Sequence, residues 1–250
     1  MCGIAGACWT SHAEPLSETV LERMISAIRH RGPDDSGMYF SAADGSGAAK
    51  PQAALGHRRL SIIDLDSGHQ PLANEDKTVW IAFNGEIYNY RELRQQLQAG
   101  GHHFRTETDT ETIVHLYEDH GVDCVKHLRG MFAFALWDEK KGMLLLARDR
   151  LGQKPLFYRR ESNRLLFGSE LKSLLEVPGA PRELDIEAVD NFLTYQYVPH
   201  PQCILKGYNK LPPAHRAVYN NGALTVERYW TPPYPADVAN DNQDTFSADE

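Results

Sequence analysis

A cysteine follows the initiator methionine directly, in the opening sequence MCGIAG. Methionine aminopeptidases remove Met1 when the next side chain is small, so we expect the mature chain to begin at Cys2. That residue would carry a thiol with a reference pKa of ~8.5 and a free α-amine with a pKa of ~7.7–8.0. A terminal amine beside a nucleophile is one route to covalent catalysis, because the amine can take the proton of the nucleophile. Taken alone, residue 2 is more simply explained as a frayed terminus, so the remaining sequence must decide.

Four further stretches place polar residues where the flanking pattern predicts strand ends or turns, and such positions often carry function. They are RHRGPDDSG (29–37), GHRRLSIIDL (56–65), FNGEIYNY (83–90) and TDTE (108–111). Strand alternation puts Arg58 and Arg59 on opposite faces, so only one of them can face a pocket. Asp109 fits the N-cap of a helix that starts in TETIVHL. Asn84 and Gly85, taken alone, form an ordinary turn signal after the strand TVWIAF.

Eight motifs occur in one order along the chain: these four stretches together with MCGIAG, RGMFAFALWD, ARDRLGQKPLFY and FGSELKSLL. In that order they resemble the glutaminase domain of glutamine-hydrolysing asparagine synthetases. This domain belongs to the class II glutamine amidotransferases, which are N-terminal nucleophile (Ntn) hydrolases. The resemblance runs from Cys2 to about Trp230. Each motif alone is a weak signal, but eight of them in order make a chance match negligible.

The resemblance implies that Cys2 attacks the side-chain amide of glutamine. A γ-glutamyl thioester would form and ammonia would leave, with the α-amine of Cys2 acting first as base and then as acid. The side-chain amide of Asn84 and the backbone N–H of Gly85 match the oxyanion hole of this family. A glycine here would let its backbone N–H approach a ligand closely.

The resemblance also assigns the groups that hold the substrate. Arg59 matches the arginine that binds the α-carboxylate, for which a planar guanidinium is well suited, and Asp109 matches the carboxylate that binds the α-ammonium. Leu60 belongs to the same set, and backbone atoms of Ile62, Ile63 and Glu86 line the pocket. Arg31 and Asp34 lie in a loop over the substrate and could form hydrogen bonds near Cys2.

No metal or cofactor is expected for this reaction. The four cysteines fit no zinc or disulfide framework, and the eleven histidines show no metal-ligand spacing such as HExxH. ATP and Mg²⁺ would belong to a synthetase domain, whose pyrophosphate-loop pattern SGGxDS does not occur in the chain. The formal charge of -8 disfavours nucleic acid or an anionic membrane as the main partner. Without a signal peptide or a membrane span, the protein is predicted to be cytoplasmic.

Helical and strand-like runs alternate in groups, which favours an α+β fold with mostly antiparallel pairing. The resemblance narrows this to the four-layer αββα sandwich of Ntn hydrolases. Helices are predicted after Ser17, Asn89 and Asp185 and over DTETIVHLYEDHG; the first should stop at Gly32. Hairpins are predicted around residues 139–142, 161–163 and 221–222.

The predicted domain covers residues 1–230, with a core over about 2–195 and a C-terminal extension with a hairpin over about 196–230. Residues 231–250 are rich in Pro, Asp and Asn and indicate a linker or tail. The expected partners are glutamine and a synthetase domain, in the same longer chain or as a separate subunit, and a homodimer is possible. An exposed apolar face near the C-terminal hairpin is predicted where a synthetase domain would dock.

Two alternatives stay open. The same glutaminase could supply ammonia to another acceptor, such as a sugar phosphate, a phosphoribosyl substrate or a peptide. The chain could instead be a catalytically silent glutamine sensor, in which Met1 is retained and the nitrogen of Cys2 is an amide without basicity.

Overall fold

The structure is a computed structural model and describes residues 1–41, 52–60 and 68–233. Ile62, Ile63 and most of the predicted tail therefore lie outside the described residues. Within the described ranges, no helix has the length and apolar character needed to cross a membrane.

Two antiparallel sheets form the centre of the molecule. The strands of the first sheet are β1 (Gly3–Trp9), β2 (Asp35–Phe40), β3 (Gln52–Arg59), β8 (Phe157–Arg160), β9 (Arg164–Gly168) and β10 (Asn209–Lys210). Those of the second are β4 (Leu72–Ala73), β5 (Val79–Ile87), β6 (Gly130–Asp138), β7 (Met143–Arg148), β11 (His215–Asn220) and β12 (Ala223–Arg228). The strand orders are β10-β8-β9-β1-β3-β2 and β12-β11-β7-β6-β5-β4.

Helices cover the outer faces of both sheets. The described α-helices are α1 (Glu18–Ala27), α2 (Tyr90–Ala99), α3 (Asp109–His120), α4 (Leu171–Leu174) and α5 (Ile186–Tyr195), and short 3₁₀ helices span Arg29–Arg31 and Gly121–Lys126. α1 packs Leu21, Met24 and Ile25 against the first sheet. α2 and α3 pack against the second sheet.

A separate apolar cluster, which includes Ile4, Leu55 and Trp137, fills the space between the two sheets. Apolar surface is therefore buried on both faces of each sheet, which is the main stabilising contribution to such a layered fold. The layers are helix, sheet, sheet and helix, so the predicted αββα sandwich is confirmed.

Local sequence signals explain most element boundaries. The Ser17 hydroxyl accepts a hydrogen bond from the N–H of Val20, and the Asp185 carboxylate accepts from Glu187 and Ala188, as expected of N-caps. Asn221 and Gly222 both have positive φ, 48° and 80°, which a two-residue hairpin turn requires. The predicted hairpins are therefore confirmed at this turn and between β6 and β7 and between β8 and β9.

Three local predictions were wrong in detail. Asn84 and Gly85 do not form a turn but continue β5, where they pair with Ala133 and Phe132 of β6. α1 ends at Ala27, before Gly32, because the chain tightens into a 3₁₀ turn.

Asn89 precedes α2 but does not cap it through its side chain. Its side-chain amide instead donates to the carbonyl of His127 and accepts from the N–H of Arg129. Hydrogen bonds to His127 and Arg129, which are distant in sequence, therefore take the place of the predicted N-cap.

The sheet register brings the two ends of the predicted site together. Gly3 of β1 pairs with Arg58 of β3, so Cys2 lies beside Arg59, although the two paired residues are 55 positions apart in the sequence. The facing second sheet contributes the C-terminal half of β5, and α3 begins beside it with Asp109.

Candidate active site

An open cavity of about 130 Å³ lies at this junction of the two sheets. It is lined by every described residue to which the resemblance assigned catalysis or substrate binding: Cys2, Arg59, Leu60, Asn84, Gly85, Glu86 and Asp109. The structure thus brings together residues from β1, β3, β5 and α3. Ile62 and Ile63 are not described.

The Cys2 thiol lies against the backbone of Leu60. The Leu60 N–H points to Cys2 Sγ at 3.4 Å, and Sγ lies 3.7 Å from the Leu60 carbonyl oxygen. Burial raises the pKa of this thiol, and the Leu60 contact works in the opposite direction. A resting thiol is therefore favoured, and forming the thiolate needs a base close by.

Arg31 fixes the backbone of the nucleophile. Its Nε donates to the Cys2 carbonyl oxygen at 2.9 Å, and its Nη1 forms an ion pair with Glu170 Oε1, also at 2.9 Å. The backbone N–H of Asp34 donates to the Arg59 carbonyl oxygen at 3.1 Å, and Asp34 is not among the residues that line the cavity. Arg31 contacts Cys2 directly.

The Asn84 side chain is fully buried at the cavity wall. Neither its Nδ2 nor its Oδ1 has a hydrogen-bond partner among the described residues. A buried, unpaired polar group costs roughly 1–3 kcal/mol, so proteins seldom retain one without a use for it. The carboxamide is ready to bind a polar group that enters the cavity.

Gly85 has a structural reason to lack a side chain besides the predicted approach of its N–H to a ligand. A Cβ at this position would lie 2.3 Å from the carbonyl oxygen of Met131 and 2.7 Å from the Cα of Phe132. Backbone of the neighbouring strand therefore excludes any larger residue. Close strand packing by itself requires glycine here.

The two arginines at the end of β3 point to opposite sides, as strand alternation predicts. Arg59 is buried, with 7% of its surface exposed, and lines the cavity. Arg58 donates from Nε to the Ile25 carbonyl at 3.2 Å, on the side of the sheet that α1 covers. Arg59 is therefore the arginine within the cavity.

Asp109 is the first residue of α3, and the N-cap is Thr108, whose hydroxyl accepts from the N–H of Glu111. The alternative role of Asp109 as the N-cap is therefore wrong. Its Oδ2 accepts from the N–H of Ile87 at 2.8 Å. Burial raises the pKa of this carboxyl to about 6, because the effect of desolvation is larger than the opposite effect of its backbone hydrogen bonds. A cation in the cavity would stabilise its charged form.

Sequence reasoning missed two polar residues of the cavity wall. Lys154 is 5% exposed and lines the cavity, although its motif reads as strands around a tight turn. Gln70 accepts from the N–H of Phe83 at 2.7 Å and donates to the Thr110 hydroxyl at 3.3 Å, which joins β5 to α3. No local periodicity marks either residue, because both reach the site from loops.

A family model described as a glutamine amidotransferase domain matches residues 1–230. The chain belongs to this family. Among curated relatives of this amidotransferase domain, asparagine synthetase (glutamine-hydrolyzing) 3 of Bacillus subtilis strain 168 is 38% identical over 235 residues, which are 92% of this chain and 36% of the relative. A putative asparagine synthetase (glutamine-hydrolyzing) 2 of Methanocaldococcus jannaschii is 35% identical over 247 residues, 92% of this chain and 46% of the relative.

The amidotransferase domain also resembles a solved structure in fold. The allosteric regulatory enzyme of purine biosynthesis matches with a TM-score of 0.66 and 20% identity, covering 92% of this chain and 50% of that one. Its low identity supports the fold alone. Since the chain spans well under two thirds of the length of the synthetase relatives, their whole activity does not carry over directly.

Proposed function

We propose that this amidotransferase domain hydrolyses glutamine to glutamate and ammonia through a thioester on Cys2. The observation that carries the proposal is the buried Asn84 carboxamide, unpaired among the described residues, in the same cavity as the Cys2 thiol, Arg59 and Asp109. Hydrolysis of an amino-acid amide requires a nucleophile and a hydrogen-bond donor for the oxyanion. It also requires one group that binds the α-carboxylate and one that binds the α-ammonium. The membership in the amidotransferase family supports the same reaction.

The substrate would be held by its two charged ends. The Arg59 guanidinium pairs with the α-carboxylate, and the Asp109 carboxylate pairs with the α-ammonium, each through charge-assisted hydrogen bonds. Both side chains are buried, so both pairs are shielded from water. The side-chain amide of glutamine then extends toward Cys2.

Removal of Met1 frees the α-amine of Cys2. This amine takes the thiol proton as sulfur bonds to the amide carbon, and the carbonyl becomes an oxyanion that Asn84 Nδ2 and the Gly85 N–H stabilise. The C–N bond then breaks, the amine returns its proton to the leaving nitrogen, and ammonia departs. Water next attacks the thioester, which releases glutamate and restores the thiol.

The test compares ammonia release from glutamine by the purified wild-type chain and by Cys2→Ala. Intact mass spectrometry of the same preparation establishes whether Met1 is removed. We expect ammonia from the processed wild type and none above background from Cys2→Ala. Equal release by both proteins would disprove the role of Cys2, and retained Met1 with no release would favour the glutamine-sensor alternative.

We further propose that the ammonia serves an asparagine-forming synthetase domain, in the same longer chain or as a separate subunit. The synthetase names of the relatives and their greater length support this. ATP and Mg²⁺ would bind that domain, and the glutaminase step itself would need no cofactor. We place the amidotransferase domain at residues 1–230, with the remainder as a linker to the synthetase domain.

An apolar surface supports a partner of this kind. Large apolar side chains are exposed on and beside α5: Leu184, Ile186, Phe192, Leu193, Tyr195 and Tyr197. The prediction had placed such a face near the C-terminal hairpin, where Val226 alone is exposed among the large apolar residues of β11 and β12. Supplying another acceptor remains the alternative, and the sequence of the gene downstream of residue 250 would decide between them.

A further inference from the structure

A second group of polar side chains lies outside the cavity, where α3 meets the segment that follows α2. His102 belongs to that segment, and His115 and Glu118 lie one turn apart on α3. One donor atom from each residue lies within 4.8 Å of the others. The proposed function uses none of these three residues.

Both histidines direct the same ring nitrogen toward one carboxylate oxygen. His115 Nδ1 is 2.8 Å from Glu118 Oε2, and His102 Nδ1 is 3.5 Å from the same oxygen. In a tetrahedral zinc site with bonds of about 2.1 Å, neighbouring ligand atoms lie about 3.4 Å apart. The His102 separation already matches this value, and the His115 contact would need to widen by a few tenths of an ångström.

The other ring nitrogen of each histidine faces a second carboxylate. His102 Nε2 is 3.0 Å from Asp119 Oδ1, and His115 Nε2 is 3.7 Å from Glu75 Oε1 and 3.9 Å from Glu111 Oε1. Metal-binding histidines almost always have such an outer carboxylate, which fixes the ring and strengthens the ligand. His102 has such a carboxylate at hydrogen-bond distance, whereas His115 Nε2 lies near two carboxylates without a hydrogen bond to either.

Two features distinguish this group from a solvated surface cluster. His115 is 1% exposed, and its Nε2 has no hydrogen-bond partner among the described residues. Glu118 is also held in place, because its Oε1 accepts from Asn74 Nδ2 at 2.8 Å while Oε2 faces the two imidazoles. The arrangement is preorganised, and the four carboxylates around it favour a cation.

We propose that His102 Nδ1, His115 Nδ1 and Glu118 Oε2 bind a zinc ion, with water as the fourth ligand. A site with two imidazoles and one carboxylate suits Zn²⁺ better than Mg²⁺ or Ca²⁺, which prefer oxygen ligands. The ion would join the segment after α2 to α3. The prediction of no metal site failed to consider this group because His102 lies 13 positions before His115 and only the H-x-x-E spacing is local.

The test is isothermal titration of zinc chloride into the chain carrying Cys2→Ala, so that the active-site thiol cannot compete. We expect one site, and His102→Gln should weaken its affinity at least tenfold, the size seen for disrupted zinc shells. His103→Gln, at the exposed neighbouring residue, is the matched control and should bind as the parent does. His127→Gln tests the stacked His120–His127 pair as a competing surface site.

A second measurement uses Co²⁺, whose visible absorption reports tetrahedral coordination by histidine and carboxylate. We expect this absorption in the parent and its loss in both His102→Gln and Glu118→Gln; His102→Gln decides if Glu118→Gln fails to fold. Absence of zinc binding would overturn the proposal. So would binding that His102→Gln leaves unchanged, or binding that only His127→Gln removes.

Discussion

The Asn84 carboxamide is the residue-scale feature with the sharpest kinetic consequence. Removing one donor from an oxyanion hole typically costs about 10²–10³ in kcat. We expect Asn84→Ala to lose that much glutaminase activity while KM for glutamine changes little, because the oxyanion exists only after attack. Steady-state ammonia release measures both constants. The control is Asn191→Ala, which removes an amide on α5 that contacts Gln202. An equal fall in kcat in that control would contradict the assignment, and so would an Asn84→Ala variant in which only KM changes.

Asp109 should make glutamine binding depend on pH. Its pKa is raised to about 6 by burial, so below that pH the carboxyl is neutral and cannot pair with an α-ammonium. We expect KM for glutamine to rise about tenfold per unit below that value. Asp109→Asn should raise KM at least ~10-fold at neutral pH and abolish this dependence.

The stability of the same variant tests the cause of the shift. A carboxyl whose folded pKa exceeds its unfolded value loses stability as pH rises through the folded pKa, because ionisation is costlier in the folded state. Asp109→Asn should therefore keep or raise Tm at neutral pH, and its Oδ1 can still accept from the N–H of Ile87. A marked fall in Tm would show that the raised KM reflects damage to the fold.

Lys154 should lower the pKa of the amine that acts as base in the reaction. Burial, with a smaller contribution from the cations of Arg31 and Lys154, lowers the pKa of the Met1 amine, and Met1 lines the same cavity. Once Met1 is removed, the α-amine of Cys2 becomes the chain terminus, and we expect the Lys154 cation to lower its pKa in the same way. Lys154→Met removes that cation, so we expect the acidic limb of the pH profile of kcat/KM to move to higher pH. If the acidic limb stays at the same pH and kcat/KM falls equally at every pH, Lys154 has only a structural role.

These residues differ in how far the sequence reveals them. Cys2, Asn84, Arg59 and Asp109 stand in motifs that match a family pattern, and all four line one cavity. Lys154 stands in the matched motif ARDRLGQKPLFY, but nothing local places it at the cavity. The His102 group belongs to no such motif. Both depend on segments that only the tertiary fold brings together.

At the scale of elements, Gly85 is expected to be indispensable to the pairing of β5 and β6. The Cβ of Gly85→Ala would meet backbone of Met131 and Phe132, which cannot move aside as a flexible side chain can. We expect a loss of roughly 1–3 kcal/mol in the free energy of unfolding, the usual cost of overpacking. Urea denaturation measures it.

The control for that substitution is Gly100→Ala at the end of α2. Gly100 has φ of -76° and its Cβ would meet nothing closer than 3.3 Å. This variant should unfold within about 0.5 kcal/mol of wild type. Equal destabilisation of the two variants would mean that crowding between β5 and β6 does not explain the effect.

Element types were largely predictable because helix period, hairpin turns and caps are local signals. The wrong assignment at Asn84 and Gly85 has a physical origin. An Asn-Gly pair favours a turn when the chain is considered alone, but nine residue pairs with β6 keep β5 extended through Ile87. The order of strands within each sheet could not be read from the residues, since it depends on long-range pairing. The family resemblance predicted the four layers but no strand order.

At the scale of the whole molecule, the exposed apolar face of α5 should contribute to association and not to folding. Ile186 and Leu193 are 70% and 74% exposed. Replacing both with Glu should change the free energy of unfolding by no more than about 0.5 kcal/mol per site. It should also lower self-association in analytical ultracentrifugation and leave glutaminase activity intact. Leu21→Glu, at a fully buried position of α1, should unfold the protein; strong destabilisation by the α5 pair would show that the face belongs to the core.

The first residue of the chain lines the same cavity as the thiol. Any affinity tag fused ahead of Met1 would have to leave through the mouth of that cavity, and by preventing removal of Met1 it would keep the Cys2 nitrogen in a peptide bond, without the basicity that the chemistry needs. β12 is mostly exposed and lies at the outer edge of its sheet. A tag attached beyond that strand would leave the entrance open, so recombinant protein for every measurement above should carry its purification handle at the carboxyl end.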